Sequence, residues 1–113
     1  MFPKPHRLPS SHIRAVFEKG KRIHTPDFQF IVLKSAADVS RFAVFVPARI
    51  DKRATVRNRS KRLVREAIRR LLPEVAGGWD VVVVVKRDLS AMKQSQALEQ
   101  LKAILAQAKV LGG

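Results

Sequence analysis

Lys52-Arg53-Ala54-Thr55-Val56-Arg57-Asn58-Arg59-Ser60-Lys61-Arg62-Leu63-Val64-Arg65-Glu66-Ala67-Ile68-Arg69-Arg70 is the stretch around which the chain is organised. Nine of its side chains are basic, one is acidic, and it holds no glycine or proline. From Ser60 onward most of its residues are good helix formers. On a helix of roughly 100° per residue, Val56, Leu63, Val64, Ala67 and Leu71 share one arc, with Ser60 among them. Asn58, Lys61, Arg62, Arg65 and Arg69 fall on the opposite arc. Arg59 and Arg70 flank the apolar seam on one side and Arg57 on the other. Such a helix docks on a core by one face and presents a cationic ridge on the other.

Charged helix faces are usually just solvated, but they then mix signs, because like charges four residues apart repel. Here Lys61, Arg65 and Arg69 follow one another at that spacing with only Glu66 to offset them. A polyanion relieves the repulsion, so the ridge points to nucleic acid. The excess of Arg over Lys suits bidentate phosphate contacts.

Strands are expected on both sides of this helix. Before it, Arg41 to Val46 alternates, with Phe42, Val44 and Val46 facing opposite to Ala43 and Phe45, and Pro47 stops it. Ala48 to Arg53 is a basic connector, and a further short strand near Ala48 to Ile50 is compatible with the sequence. After the helix, Leu72-Pro73 closes it and Gly77-Gly78 makes a turn. Trp79 to Val85 is then apolar at nearly every position, as in a strand covered on both faces. Strand, helix and strand in succession predict a crossover between parallel strands, right-handed by the general rule.

Further out, Asp27 to Leu33 reads as a strand with Phe28, Phe30 and Val32 on one face and Gln29, Ile31 and Leu33 on the other. Lys34 to Ser40 is polar, so an antiparallel hairpin with Arg41 to Val46 is the simple inference. Ser10 or Ser11 caps a short helix from about His12 to Lys19, ended by Gly20, with Ile13, Val16 and Phe17 as its apolar stripe. Lys21 to His24 reads as a basic connection that Pro26 ends. Ser90 caps a last helix from about Ala91 to Lys109, with Ala97, Leu98, Leu101, Ile104, Leu105 and Ala108 at helical spacing. Residues 1–9, with three prolines, form an extended lead-in, and residues 111–113 a frayed tail. The expectation is one α+β domain over residues 1–113: a single sheet of about four strands packed with three helices.

A chain of 113 residues supports one modest core. A hydrophobic fraction of 46% argues against disorder, and a formal net charge of +14 calls for a polyanionic partner. The absence of cysteine excludes disulfides and thiolate metal sites and suits a cytoplasmic location. The first residues carry no apolar signal-peptide core, and the longest apolar run, Val81 to Val85, is too short to span a bilayer.

Arg57-Asn58-Arg59, then Lys61-Arg62, then Arg65-Glu66-Ala67, resembles the signature Arg-Asn-Arg-x-Lys-Arg-x-x-Arg-[Glu/Gln]-Ala of the protein subunit of bacterial ribonuclease P. Val16-Phe17 with Gly20, Phe28, Gly78, Asp80 and Arg87 also fit that family. The match departs where Ala48-Arg49-Ile50-Asp51 replaces a Lys-Lys-hydrophobic-Gly stretch, with a spacer about one residue longer. Ile13 and Ile31 stand where aromatics are frequent. The resemblance implies a ribosomal-protein-like sandwich with a left-handed crossover. It also implies an RNA partner that performs magnesium-dependent removal of the 5′ leader from precursor tRNA. This chain would then bind that RNA, one protein per RNA, through Arg57, Asn58, Arg59, Lys61, Arg62, Arg65 and Arg69. The connector residues Arg49, Lys52 and Arg53 would extend that surface. The leader would lie in a groove with Phe17, Phe28 and Phe30 as stacking platforms and Arg14 and Arg87 on its rim. By its place in the helix stripe alone, Phe17 fits core packing better than groove lining.

No catalytic constellation stands in the chain. There is no phosphate-cradling glycine loop and no nucleophile motif. His6, His12 and His24 lack metal-ligand spacing, and the carboxylates are not paired to hold ions. Neither a catalytic residue nor a metal site is expected, and magnesium would belong to the RNA. Four rivals are weaker. A ribosomal RNA binder shares the composition, but the Arg57-to-Ala67 pattern favours the ribonuclease P resemblance over it. A DNA reader lacks the turn and scaffold helix of a helix-turn-helix. A membrane-surface helix lacks aromatic anchors. A stand-alone nuclease lacks ligands.

Overall fold

Strand β4 (Trp79–Val85) is the axis of the sheet. In the computed structural model, which describes residues 4–110, it lies between β2 (Phe28–Lys34) and β3 (Arg41–Phe45). Strand β1 (Lys21–His24) completes the order β1-β2-β4-β3. Val81, Val82, Val83 and Val85 are fully buried, as an interior strand requires. The β3–β4 pair is parallel, as the crossover predicts, and the other pairs are antiparallel.

Three expectations need correction. β2 and β3 do not form a hairpin, because β4, apolar on both faces, takes the position between them. The fourth strand is Lys21–His24, not Ala48 to Ile50, which lies in a turn. β1 is an edge strand with one apolar residue, Ile23, so it shows no alternation. The lead-in, over its described part, is pinned and not loose: Arg7 bridges to Phe42, the Leu8 N–H donates to the Phe42 carbonyl at 2.9 Å, and Leu8 is buried. That segment covers the β3 edge. The tail expected at 111–113 lies outside the described residues.

Helix α1 (Ser10–Lys19) covers one face of the sheet; α2 (Ala54–Leu71) and α3 (Gln94–Gln107) pack on the other. The main core joins Phe28, Phe30, Phe42 and Val44 to Val64, Ala67, Ile68 and Leu71 of α2 and to Ala97, Leu101 and Leu105 of α3. The α2 seam matches the predicted arc, with Ile68 added and with Val56 and Leu63 half-buried. α3 starts later than its pattern suggests. Ser90 is tied to Asp88 in a turn, and the Lys93 N–H is capped by Gln96 Oε1 at 2.8 Å.

Two local features fix the face that α1 covers. Gly20 ends α1, and a Cβ there would lie 2.5 Å from the Val16 carbonyl oxygen and 2.6 Å from Ile31 Cγ2. Only glycine lets helix and sheet approach so closely. Arg41 and Asp80, neighbours across β3 and β4, form a bidentate pair at 2.9 and 2.8 Å with little exposure, and that pair raises the Arg41 pKa.

Candidate nucleic-acid interface

Helix α2 meets the core through its seam, so its cations stand outward. Among the described residues, Arg59, Lys61, Arg62 and Arg65 have no ion-pair or hydrogen-bond partner. Arg59 and Arg62 are exposed; Lys61 and Arg65 lie half-buried along the helix flank. Arg69 differs: its Nε and Nη2 donate to Glu66 at 2.9 and 2.5 Å, and Arg70 reaches the same carboxylate at 3.5 Å. The Arg69 hydrogen bonds, helped by Arg70, hold Glu66 down at about 2. The basic surface therefore divides into an uncompensated part at residues 59–65 and a compensated part at the helix end.

The connector carries its own order. Arg53 donates to both Asp51 carboxylate oxygens, at 3.1 and 3.0 Å, and its backbone N–H to Oδ1 at 2.8 Å. Those bonds, the side-chain ones foremost, lower Asp51 to about 2. Arg57 Nη1 donates to the carbonyls of Asp51 and Lys52 at 2.8 Å each. Among the residues expected to bind RNA, Arg57 thus also ties the connector to the first turn of α2. Arg49, Lys52 and Asn58 are exposed.

The sheet supplies a second surface. On the α1 face, the ladder aligns Ala43, Val82, Ile31 and Arg22 in one row and Phe45, Val84, Gln29 and His24 in the next. α1 seals the first row: Val82 and Ile31 are fully buried. The second row lies open, with Val84 and Gln29 half-buried and Phe45 37% exposed. Phe17 of α1 leans over it, its ring centroid 6.1 Å from that of Phe45. Arg22 sits 5.9 Å above the Phe17 ring and donates to the Phe17 carbonyl at 2.8 Å. Arg87, just past β4, is exposed and reaches toward Asp27 at 3.9 Å. β3 leaves this row directly into the connector. Asp88 lies near enough to contribute, after Asp51, to the raised Arg53 pKa. An apolar, aromatic strip thus runs into a cationic surface.

Two groove residues are not where the sequence reading put them. Phe28 and Phe30 are 0% exposed, packed edge to face at 5.9 Å in the main core on the opposite side of the sheet. They share a face with Val32, and that face is closed by α2 and α3, so neither ring can stack on a base. Arg14 is exposed on α1, about one turn before Phe17, with its Nε donating to Glu18 at 2.9 Å. Phe17 does border the strip. Phe45 is the aromatic that the sequence reading did not single out. Its alternation against Phe42 and Val44 was legible; which face would stay open was not. Arg22 and His24 belong to β1, whose single apolar residue gives no strand signal in the sequence.

No group of three or more His, Asp or Glu able to hold a metal occurs among the described residues. Among them, too, no helix is long and apolar enough to cross a membrane.

The Ribonuclease P family pattern matches residues 2–109. The chain is 34% identical over 116 residues to the ribonuclease P protein component of Microcystis aeruginosa, covering 98% of this chain and 97% of the relative. The solved RNase P protein from Thermotoga maritima superposes with a TM-score of 0.79 at 29% identity, over 89% of this chain and 96% of that one. An RNase P protein mutant from Staphylococcus aureus shares the fold with a TM-score of 0.84 at 22% identity, over 96% of this chain and 92% of that one. With sequence pattern and fold agreeing over nearly its whole length, the chain belongs to the ribonuclease P protein family.

Proposed function

We propose that the chain is the RNA-binding protein component of a ribonuclease P, acting in the removal of 5′ leaders from precursor tRNA. The observation that carries the reading is the set of uncompensated cations at Arg59, Lys61, Arg62 and Arg65, within the family signature. In this reading the helix binds the catalytic RNA through its phosphates, one protein per RNA. That contact offsets repulsion between catalytic RNA and substrate and lowers the magnesium they need. Bond cleavage is assigned to the RNA and its magnesium ions; the protein binds and positions. The open strip of Phe45, Val84 and Gln29, bordered by Phe17, Arg22 and Arg87, takes the single-stranded leader by stacking and charge. Affinity for substrate over product follows, since only the substrate has a leader.

The test is cleavage of a precursor tRNA by a bacterial ribonuclease P RNA at low magnesium, with and without this protein. Cleavage at the mature 5′ end only when both are present is expected. No stimulation by folded protein, or cleavage by the protein alone, overturns the reading.

A further inference from the structure

At the corner of the sheet farthest from the open strip lies a cavity of about 260 Å³, on the face that α2 and α3 cover. Its walls are Ile23, Val32, Ala108 and the indole of Trp79. Lys21 and Lys109 stand on its rim, both exposed, and no acidic residue lines it. Lys34, the register partner of Trp79, holds its ammonium 5.8 Å from the indole centroid. The Trp79 backbone N–H is anchored on Ser40 Oγ at 3.1 Å, so the ring has a fixed base. The site is remote from the leader strip. Trp79 and Val84 are five residues apart along β4, about 17 Å, and face opposite sides of the sheet.

We infer that this corner is a separate RNA contact, which receives one unpaired nucleotide with its base against Trp79 and its phosphate between Lys21 and Lys109. An apolar slot with an aromatic wall suits a flat base. A rim of lysines without a carboxylate suits a phosphate and repels no anion. The inference takes from the proposed function only that the ligand class is RNA. It does not depend on the leader strip or on the α2 ridge.

Trp79 is the one tryptophan and the chain has no tyrosine, so its fluorescence reports this corner alone. The full chain is titrated with a short single-stranded oligoadenylate, with binding followed in parallel by anisotropy of a labelled copy. Saturable quenching of Trp79 is expected. Lys21→Gln with Lys109→Asn should weaken the quenching titration about tenfold and lower its salt slope by about 0.7 for each phosphate that is no longer neutralised. Asn is chosen because Lys109 has φ 65°, a conformation Asn tolerates. Phe45→Ala, in the leader strip, should leave the Trp79 titration unchanged. Binding by anisotropy with a silent Trp79 overturns the inference, as does quenching that Phe45→Ala abolishes and the lysine pair does not affect. Equal quenching by polyglutamate overturns it too, in favour of an acidic protein partner. Because the ligand is an oligonucleotide, each of these outcomes is independent of whether precursor tRNA cleavage is stimulated.

Discussion

Replacing Arg59, Lys61, Arg62 and Arg65 together by Gln removes four α2 cations that have no partner among the described residues. Gln keeps helix propensity close to that of Arg and Lys, so α2 should persist. Each phosphate contact contributes about 0.7 to 0.9 to the slope of log K against log salt. If all four side chains touch phosphates, the slope falls by about 2.8 to 3.6. Between about 50 and about 200 mM salt, a fourfold change, the wild type then loses roughly fifty- to 150-fold more affinity than the variant. The assay is binding to ribonuclease P RNA over that salt range, with circular dichroism to confirm the helix. Glu66→Gln is the opposing case. It frees Arg69 and Arg70 from their shared carboxylate and should tighten binding and steepen the slope. An unchanged slope in the quadruple variant, with fold intact, would refute the assignment of the ridge to phosphate contacts. A shallower slope in Glu66→Gln would refute the division between compensated and uncompensated cations.

Phe28→Ala and Phe30→Ala should each cost about 3–5 kcal/mol in urea unfolding, as buried aromatic truncations do, whereas Phe45→Ala should cost less than about 1 kcal/mol and selectively weaken leader-bearing substrate. Comparable stability losses at all three would contradict their placement on opposite faces. Gly20→Ala drives a methyl into the Val16 carbonyl and Ile31; a loss of about 1–3 kcal/mol is expected, and an unaltered melting temperature would show that α1 does not press on the sheet there. Asp51 and Glu66 are held near 2 by their arginines. A depressed folded-state value means that both stabilise the protein above the ordinary carboxylate range, near 4, and lose that contribution as pH falls toward 2. Asp51→Asn with Glu66→Gln should therefore flatten stability against pH between about 4 and about 2; an identical acid profile would count against both pairs.

Much of the architecture was legible because its signals are local. The α2 seam follows from helical spacing, and the interior place of β4 follows from valine on both faces. The same reading of β4 conflicts with a β2–β3 hairpin, since a strand apolar on both faces needs neighbours on both sides. A polar stretch such as Lys34 to Ser40 between consecutive strands suits a hairpin but does not keep a later strand from entering between them. β1 was hidden because Lys-Arg-Ile-His is an edge, and edges are kept polar to discourage further pairing.

The sequence by itself determined the cationic helix, its docking face and the family to which the chain belongs, because charge, periodicity and a dense motif are properties of contiguous residues. Only the tertiary structure decided which aromatic residues are available to a ligand. Phe28, Phe30 and Phe45 all alternate with strand periodicity, and nothing local tells the covered face from the open one. α2 and α3 bury the first two, while α1 is short and, held against the sheet at Gly20, leaves the row of Phe45 uncovered. Whether an arginine is free likewise depends on where a carboxylate falls in space: Glu66 takes Arg69, Asp51 takes Arg53, and among the described residues nothing compensates Arg59, Lys61, Arg62 and Arg65.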